Sequence, residues 1–243
     1  MKEKRFYYNG EIFEGSNIVL EDEEFHHLAN VMRARIGDSV CIFNGNGNFY
    51  FGKITQINKK NAEIHINSVQ KSENEPKIQL TIYQALAKGD KLSLVMQKIT
   101  EIGASNLVLF ESDFCDVKSN TGKQDRLDSI SVSASKQCGR ATIVKTTGIF
   151  DIKQCANQIK NYDAFFVAYE AEDGQTLSNY LIKNKDNLKN IAIMIGAEGG
   201  FSEKEITTLK ENGAKIVSLG NRILRTETAS IVCAGLAMQI LEQ

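Results

Sequence analysis

From residue 78 onward, short apolar runs alternate with amphipathic stretches, and this pattern restricts the fold more than any other feature. Residues 78–85 are a strand candidate. Residues 90–102 follow as a helix, with Leu92, Val95, Ile99 and Ile102 on one face and Gly103 as its stop. The pairing recurs with strands over 107–110, 143–144, 164–169, 191–195 and 216–219. The helices that follow them cover 124–138, 152–160, 177–183, 202–212 and 229–241. This alternation predicts an α/β fold, with a largely parallel sheet and helices on both faces. Ligands in such sheets sit at the carboxyl ends of strands.

The N-terminal third reads differently. Ala62, Glu63, Ile64, His65, Ile66 and Asn67 alternate as a half-buried strand does. Residues 40–43 and 49–57 flank Asn44-Gly45-Asn46-Gly47-Asn48, a hairpin signal. A helix over 21–32 places Phe25, Leu28, Ala29 and Met32 on one face. Several short strands with one helix predict a small β-barrel. The polar stretch 71–77 holds the sole proline, Pro76, so two domains are expected, 1–72 and 73–243.

Composition removes several classes. With 243 residues, 42% hydrophobic and 24% charged, the chain is in the ordinary globular range. No apolar run approaches the roughly 20 residues that span a bilayer, and residues 1–13 lack the apolar segment of a secretory signal. A cytoplasmic protein is therefore expected. Cys41, Cys115, Cys138, Cys155 and Cys233 are far apart, and His26, His27 and His65 are not at ligand spacing to them. The expectation is no disulfide framework, no metal and mostly buried thiols. A net charge of −1 gives no hint of nucleic acid. Locally, however, Lys118, Lys123, Arg126, Lys136, Arg140 and Lys145 stand against only Asp125 and Asp128. Such a patch can contact phosphates, although on charge alone a solvated helix face is the simpler reading.

Two segments carry the chemistry. In the first, a strand runs into Gly196-Ala197-Glu198-Gly199-Gly200-Phe201, then Ser202 caps a helix with Glu205 completing a capping box. The glycines let the backbone approach a ligand closely; the alternative is a tight turn without one. Neither a phosphate-binding loop ending in Gly-Lys nor a dinucleotide fingerprint is present. In the second, Leu219-Gly220-Asn221-Arg222-Ile223-Leu224-Arg225-Thr226-Glu227-Thr228 leads into an apolar helix, with Thr226 or Thr228 as its expected cap. Arg225, set in an apolar loop, is of the kind that is paired or binds oxygen-rich ligands.

Residues 195–201 and 219–230 resemble the cofactor-loop motifs of the RsmE family, the 16S ribosomal RNA uridine-N3 methyltransferases of the SPOUT superfamily. Residues 25–33 with Ile36-Gly37-Asp38, Lys88-Gly89-Asp90-Lys91, Gln97-Lys98-Ile99-Thr100-Glu101-Ile102-Gly103 and Lys136-Gln137-Cys138-Gly139-Arg140 match further elements in the same order. The family usually has proline at the positions of Ala197 and Asn221, which makes these loops less stiff without removing a reactive group. The resemblance implies a PUA-like RNA-binding barrel, a SPOUT domain with a trefoil knot, and a homodimer. It implies S-adenosylmethionine as cofactor, held by Tyr169, Glu170, Gly196, Glu198, Gly199, Gly200, Leu219, Gly220, Leu224, Thr226 and Ala229. The reaction implied is direct in-line methylation of uridine N3 without a metal, with Arg225 stabilising the uracil anion and Arg5 positioning RNA. Glu198 and Glu227 are open candidates for a base. Arg33, Lys88, Lys136 and Arg140 would contact the small-subunit ribosomal RNA or the assembled subunit. Cys138 is expected to pack rather than react, and His26 and His27 to be structural. Rival readings are a related methyltransferase acting on another nucleotide, a non-catalytic RNA-binding protein and a nucleotide hydrolase.

Overall fold

The computed structural model describes residues 4–117, 122–170 and 174–242, the side chains of Gly122 and Lys123 excepted. Lys118 and the Lys123 side chain, both from the basic stretch, lie outside the described residues. The chain divides into two units, Met1–Glu75 with Ser135–Ile143, and Pro76–Ala134 with Val144–Gln243.

In the first unit, β1 (Arg5–Tyr7), β2 (Asn17–Leu20), β3 (Ser39–Phe43), β4 (Asn48–Ile57) and β5 (Ala62–Lys71) form one sheet in the order β1-β3-β4-β5-β2. Only the β1–β3 pairing is parallel. Inward residues of these strands, including Phe6, Ile18, Ile42, Ile54, Ile64 and Ile66, make the core. The helix expected over 21–32 is present but changes pitch. Asp22–His26 is α-helical (α1), and His27–Val31 continues as a π-helical turn that buries Leu28. Such turns insert a residue into the helical repeat, which a 3.6-residue periodicity does not reveal. Arg33 follows at φ +48, an uncommon region for a side-chain-bearing residue. His27 lies 5.5 Å from the Phe6 ring, and its pKa is lowered by burial and by nearby Lys136. This agrees with a structural role.

Residues 135–143 belong with the first unit, although they lie far along the chain. Glu75 is their anchor. Its carboxylate accepts from the Ala141 and Thr142 N–H groups (2.7 and 3.0 Å), the Thr142 hydroxyl (2.5 Å) and Arg140 Nε (3.1 Å). Burial works against the charge on Glu75, but the Thr142 hydroxyl, the Arg140 guanidinium and the two amides outweigh it and hold the pKa below the ordinary carboxylate value. Arg140 side-chain exposure is 7%, so removal of Glu75 takes the facing carboxylate from a buried cation and the acceptor from the Ala141 and Thr142 amides at once. Glu75→Ala is therefore expected to destabilise the protein by about 3–5 kcal/mol in urea unfolding. A loss within about 0.5 kcal/mol would contradict this account of the anchor. Because the folded-state pKa is depressed, the Glu75 contribution is present above the unfolded value of about 4.3 and is lost as pH falls through the folded value.

The second unit carries β6 (Gln79–Ala85), α2 (Lys91–Ile102), β7 (Asn106–Phe110), α3 (Gly122–Cys138) and β8 (Lys145–Phe150). These are followed by α4 (Ile152–Gln158), β9 (Ala164–Ala168), α5 (Leu177–Asn184), β10 (Asn190–Ile195), α6 (Glu203–Glu211), β11 (Lys215–Val217) and α7 (Thr226–Leu241). The last turn of α3 is counted with the first unit. The sheet order is β11-β9-β10-β6-β7-β8, and all five pairings are parallel. The α/β expectation is borne out. In β10, Ile191, Ile193 and Ile195 point to the core shared with α2, α5 and α7, whereas Ala192 and Met194 point to the core shared with α4 and α6. Both faces are covered, which is why the strand reads as a continuous apolar run.

Three elements differ from expectation. The strand expected at 143–144 is Lys145–Phe150, a polar edge strand with a register shift beside Gly148, so it carries little apolar signal. Helix α7 starts at Thr226, so Arg225 holds the cap position with no side-chain cap bond, and neither threonine caps it. Cys138 is exposed rather than packed. Cys41, Cys155 and Cys233 are buried as expected, and burial pushes the Cys155 thiol up to about 12.

Candidate active site

Within the second unit, three strand ends and one helix start converge on a cleft of about 330 Å³. Ala168 ends β9, Ile195 ends β10, Leu219 follows β11 and Thr226 opens α7. These are carboxyl ends of parallel strands, where the backbone leaves the sheet and opens a crevice. The volume falls within the range of about 300–1,000 Å³ that small-molecule sites occupy.

The turn after β10 is held from both sides. Ser202 caps α6 and Glu205 completes the capping box. Glu205, 3% exposed, accepts from the Ser202 N–H at 2.8 Å and also from the Asp113 N–H at 2.9 Å. The Ser202 hydroxyl in turn donates to Asp113 at 2.6 Å. The box thus ties the glycine turn to the loop after β7, which sequence spacing did not indicate. Gly200 has φ +74, and a Cβ there would lie 2.7 Å from Glu170 Oε1. A Cβ at Gly196 would lie 3.0 Å from the Phe201 ring and 3.1 Å from the Gly200 backbone. A side chain at either position would run into neighbouring cleft residues, so the turn keeps bare backbone there. Gly199 packs against Phe114, where a Cβ would come within 2.8 Å.

A buried polar cluster joins the two loops. The Thr226 hydroxyl donates to the Gly196 carbonyl at 2.6 Å, and Gln84 Nε2 donates to Thr226 Oγ1 at 2.9 Å. Near the other end of the turn, Lys91 Nζ donates to Glu198 Oε1 at 2.6 Å. Partial burial disfavours the Glu198 charge, but the Lys91 hydrogen bond and backbone donors prevail and hold its pKa below the usual value. Glu198 is accordingly a weak proton acceptor. Glu227 Oε2 is buried without a hydrogen-bond partner among the described residues.

Ten of the eleven expected cofactor residues line this cleft, together with Arg225; Gly199 does not. Arg5 belongs to the first unit, where its guanidinium lies 5.6 Å above the Phe49 ring. Of the expected RNA contacts, Arg33 and Lys88 are exposed, Lys88 in an open ion pair with Asp116. Lys136 is held by both Glu24 oxygens at 2.7 and 2.9 Å, and Arg140 is engaged with Glu75. Sequence reading did not single out Gln84 for the site, and it had Phe201, Arg222 and Lys91 only inside matched motifs. Gln84 did carry a signal, a polar side chain in an otherwise buried strand.

An RNA methyltransferase domain model matches residues 73–238, and an RNA methyltransferase PUA domain model matches residues 20–67. The ribosomal RNA small subunit methyltransferase E of Rickettsia conorii is 30% identical over 238 residues, covering 95% of this chain and 93% of its own length. The protein of the same name from Bacillus subtilis is 28% identical, covering 91% of this chain and 89% of its own length. A Legionella pneumophila methyltransferase solved with bound SAM superposes with a TM-score of 0.89 at 28% identity, over 98% of both chains. The ribosomal RNA small subunit methyltransferase E of Neisseria gonorrhoeae, solved with S-adenosyl methionine, gives 0.86 at 27% identity, over 96% of this chain and 95% of that one.

Proposed function

The chain belongs to the ribosomal RNA small subunit methyltransferase E family of RNA methyltransferases, and from that premise we propose that it methylates N3 of a uridine in 16S ribosomal RNA, with S-adenosylmethionine as donor. The observation that carries this reading is the glycine-walled cleft at the strand ends with Arg225 in its lining.

The residues fit such a cofactor. Gly196 and Gly200 line the cleft where a Cβ would crowd Phe201, the Gly200 backbone or Glu170, and Ile195, Leu219, Leu224 and Ala229 give apolar wall. The exposed Glu170 carboxylate offers an acceptor for hydroxyl or ammonium groups. When bound, the cofactor supplies an electrophilic sulfonium methyl. Uridine N3 is a weak acid and becomes nucleophilic on losing its proton. Arg225 stabilises the charge that then spreads to the uracil carbonyls. Its guanidinium makes no hydrogen bond or ion pair among the described residues, so it is available for this task. Arg5 helps position the RNA, and exposed Arg33 and Lys88 supply phosphate contacts; the Lys88–Asp116 pair is solvent-exposed and is opened at little cost. Glu198, ionised and paired to Lys91, anchors the loop rather than taking the proton.

Calorimetric titration of the purified chain with S-adenosylmethionine tests the reading. Saturable binding with one molecule per chain is expected. Absence of binding would overturn the catalytic reading and favour a non-catalytic RNA-binding protein.

A further inference from the structure

Gln84 lies near the end of β6, fully buried, and does not itself line the cleft. Its partners on α7 are Thr226, 6% exposed, and Ser230, fully buried. The protons in this cluster have one consistent arrangement. The Gly196 carbonyl can only accept, so the Thr226 hydroxyl uses its single proton there. Thr226 Oγ1 must then accept from Gln84, which turns the amide nitrogen toward it. The amide oxygen consequently faces Ser230, whose hydroxyl donates to it. The second amide hydrogen goes to the Ala85 carbonyl at 3.1 Å. A directional chain results, from Ser230 through Gln84 and Thr226 to Gly196.

We propose that Gln84 is a positioning residue for methyl transfer: its carboxamide fixes the Thr226 hydroxyl on the Gly196 carbonyl and so sets the glycine turn against the loop that carries Arg225. An apolar side chain of similar volume would satisfy packing alone, whereas a buried amide demands that every partner be in place. The Gly196 end of the chain bears on the cleft, because Gly196 and Thr226 line it and Arg225 directly precedes Thr226. The inference rests on the function proposed above.

Two variants of the full chain test it. Gln84→Met keeps the volume and removes the amide's hydrogen bonds: Thr226 loses the donor that directs its proton to Gly196, and Ser230 is left with the Thr226 carbonyl at 3.2 Å. Cooperative unfolding is expected to persist, with the S-adenosylmethionine Kd raised about tenfold and kcat lowered at saturating cofactor. Gln84→Glu separates positioning from packing. As a neutral acid it donates to Thr226 and accepts from Ser230. As a carboxylate it only accepts, and it competes with Gly196 for the Thr226 proton. Burial raises the pKa of such a group. The ratio of Gln84→Glu activity to wild-type activity is therefore expected to climb as pH falls. Arg225 and Glu227 beside Thr226, Glu198 beyond Gly196, and Lys88 and Lys91 beyond β6 are common to both proteins, so the ratio isolates the group at position 84. Wild-type Kd and kcat in folded Gln84→Met, or a ratio that is flat with pH, would overturn the proposal. If Gln84→Met does not fold, the pH ratio decides. Failure of the wild-type protein to bind cofactor would instead overturn the function on which the inference rests.

Discussion

Arg225→Ala is expected to lower methyl transfer by about 100- to 1,000-fold at saturating cofactor, while the cofactor Kd changes by less than about threefold. The basis is the placement of its charge. Arg225 stands at the cap position of α7 in extended backbone, where its side chain caps nothing and enters the cleft lining. It is exposed and without a salt-bridge partner among the described residues, so truncation removes little that holds the fold together. A guanidinium beside the uracil carbonyls matters when the ring becomes an anion, not when the neutral base or the cofactor binds. The expected pattern is therefore a fall in kcat with unchanged thermal unfolding and unchanged calorimetric affinity. Turnover at the wild-type rate would remove Arg225 from the chemistry. A matching loss of affinity would make it a cofactor ligand instead.

Gly200→Ala should abolish most cofactor binding through backbone geometry alone. The residue sits at φ +74, a region that costs a side-chain-bearing residue about 1–2 kcal/mol. The added Cβ would also lie 2.7 Å from Glu170 Oε1, displacing another cleft residue. At least a tenfold rise in Kd is expected by calorimetry. Gly15→Ala is the control. Gly15 has φ +81 with nothing within 4 Å of its Cβ position, and it lies in the first unit. It carries the strain without the crowding, so it should lose stability and keep cofactor affinity. Equal loss of affinity in both variants would show that general destabilisation, not cleft shape, is responsible.

The parts of this protein that were legible in the sequence are those where one local rule decides. Residues 191–195 read as a short buried strand and Ser202 with Glu205 as a helix start, and the structure has the glycine turn between them. The alternation of strands and helices gave the sheet class for the same reason. What stayed hidden depends on residues distant in the chain. Residues 135–143 return to the first unit because Glu75, about 65 positions earlier, satisfies their amides and Arg140. Arg140 looked like part of a basic surface, since sequence cannot show the carboxylate that buries it. The start of α7 was set too late because Thr226 gives its hydroxyl to Gly196 across the cleft instead of capping its own helix. Whole-chain resemblance supplied Tyr169 and Glu170, which no local pattern marked.

The central claim is tested most directly by incubating the protein with 16S ribosomal RNA, free or in the assembled small subunit, and S-adenosylmethionine bearing an isotopically labelled methyl group. The RNA is then digested to nucleosides for mass analysis. The account predicts label in N3-methyluridine, at about one per RNA, and its loss with Arg225→Ala. Label in a different nucleoside, or cofactor binding with no label in either form of the RNA, would contradict it.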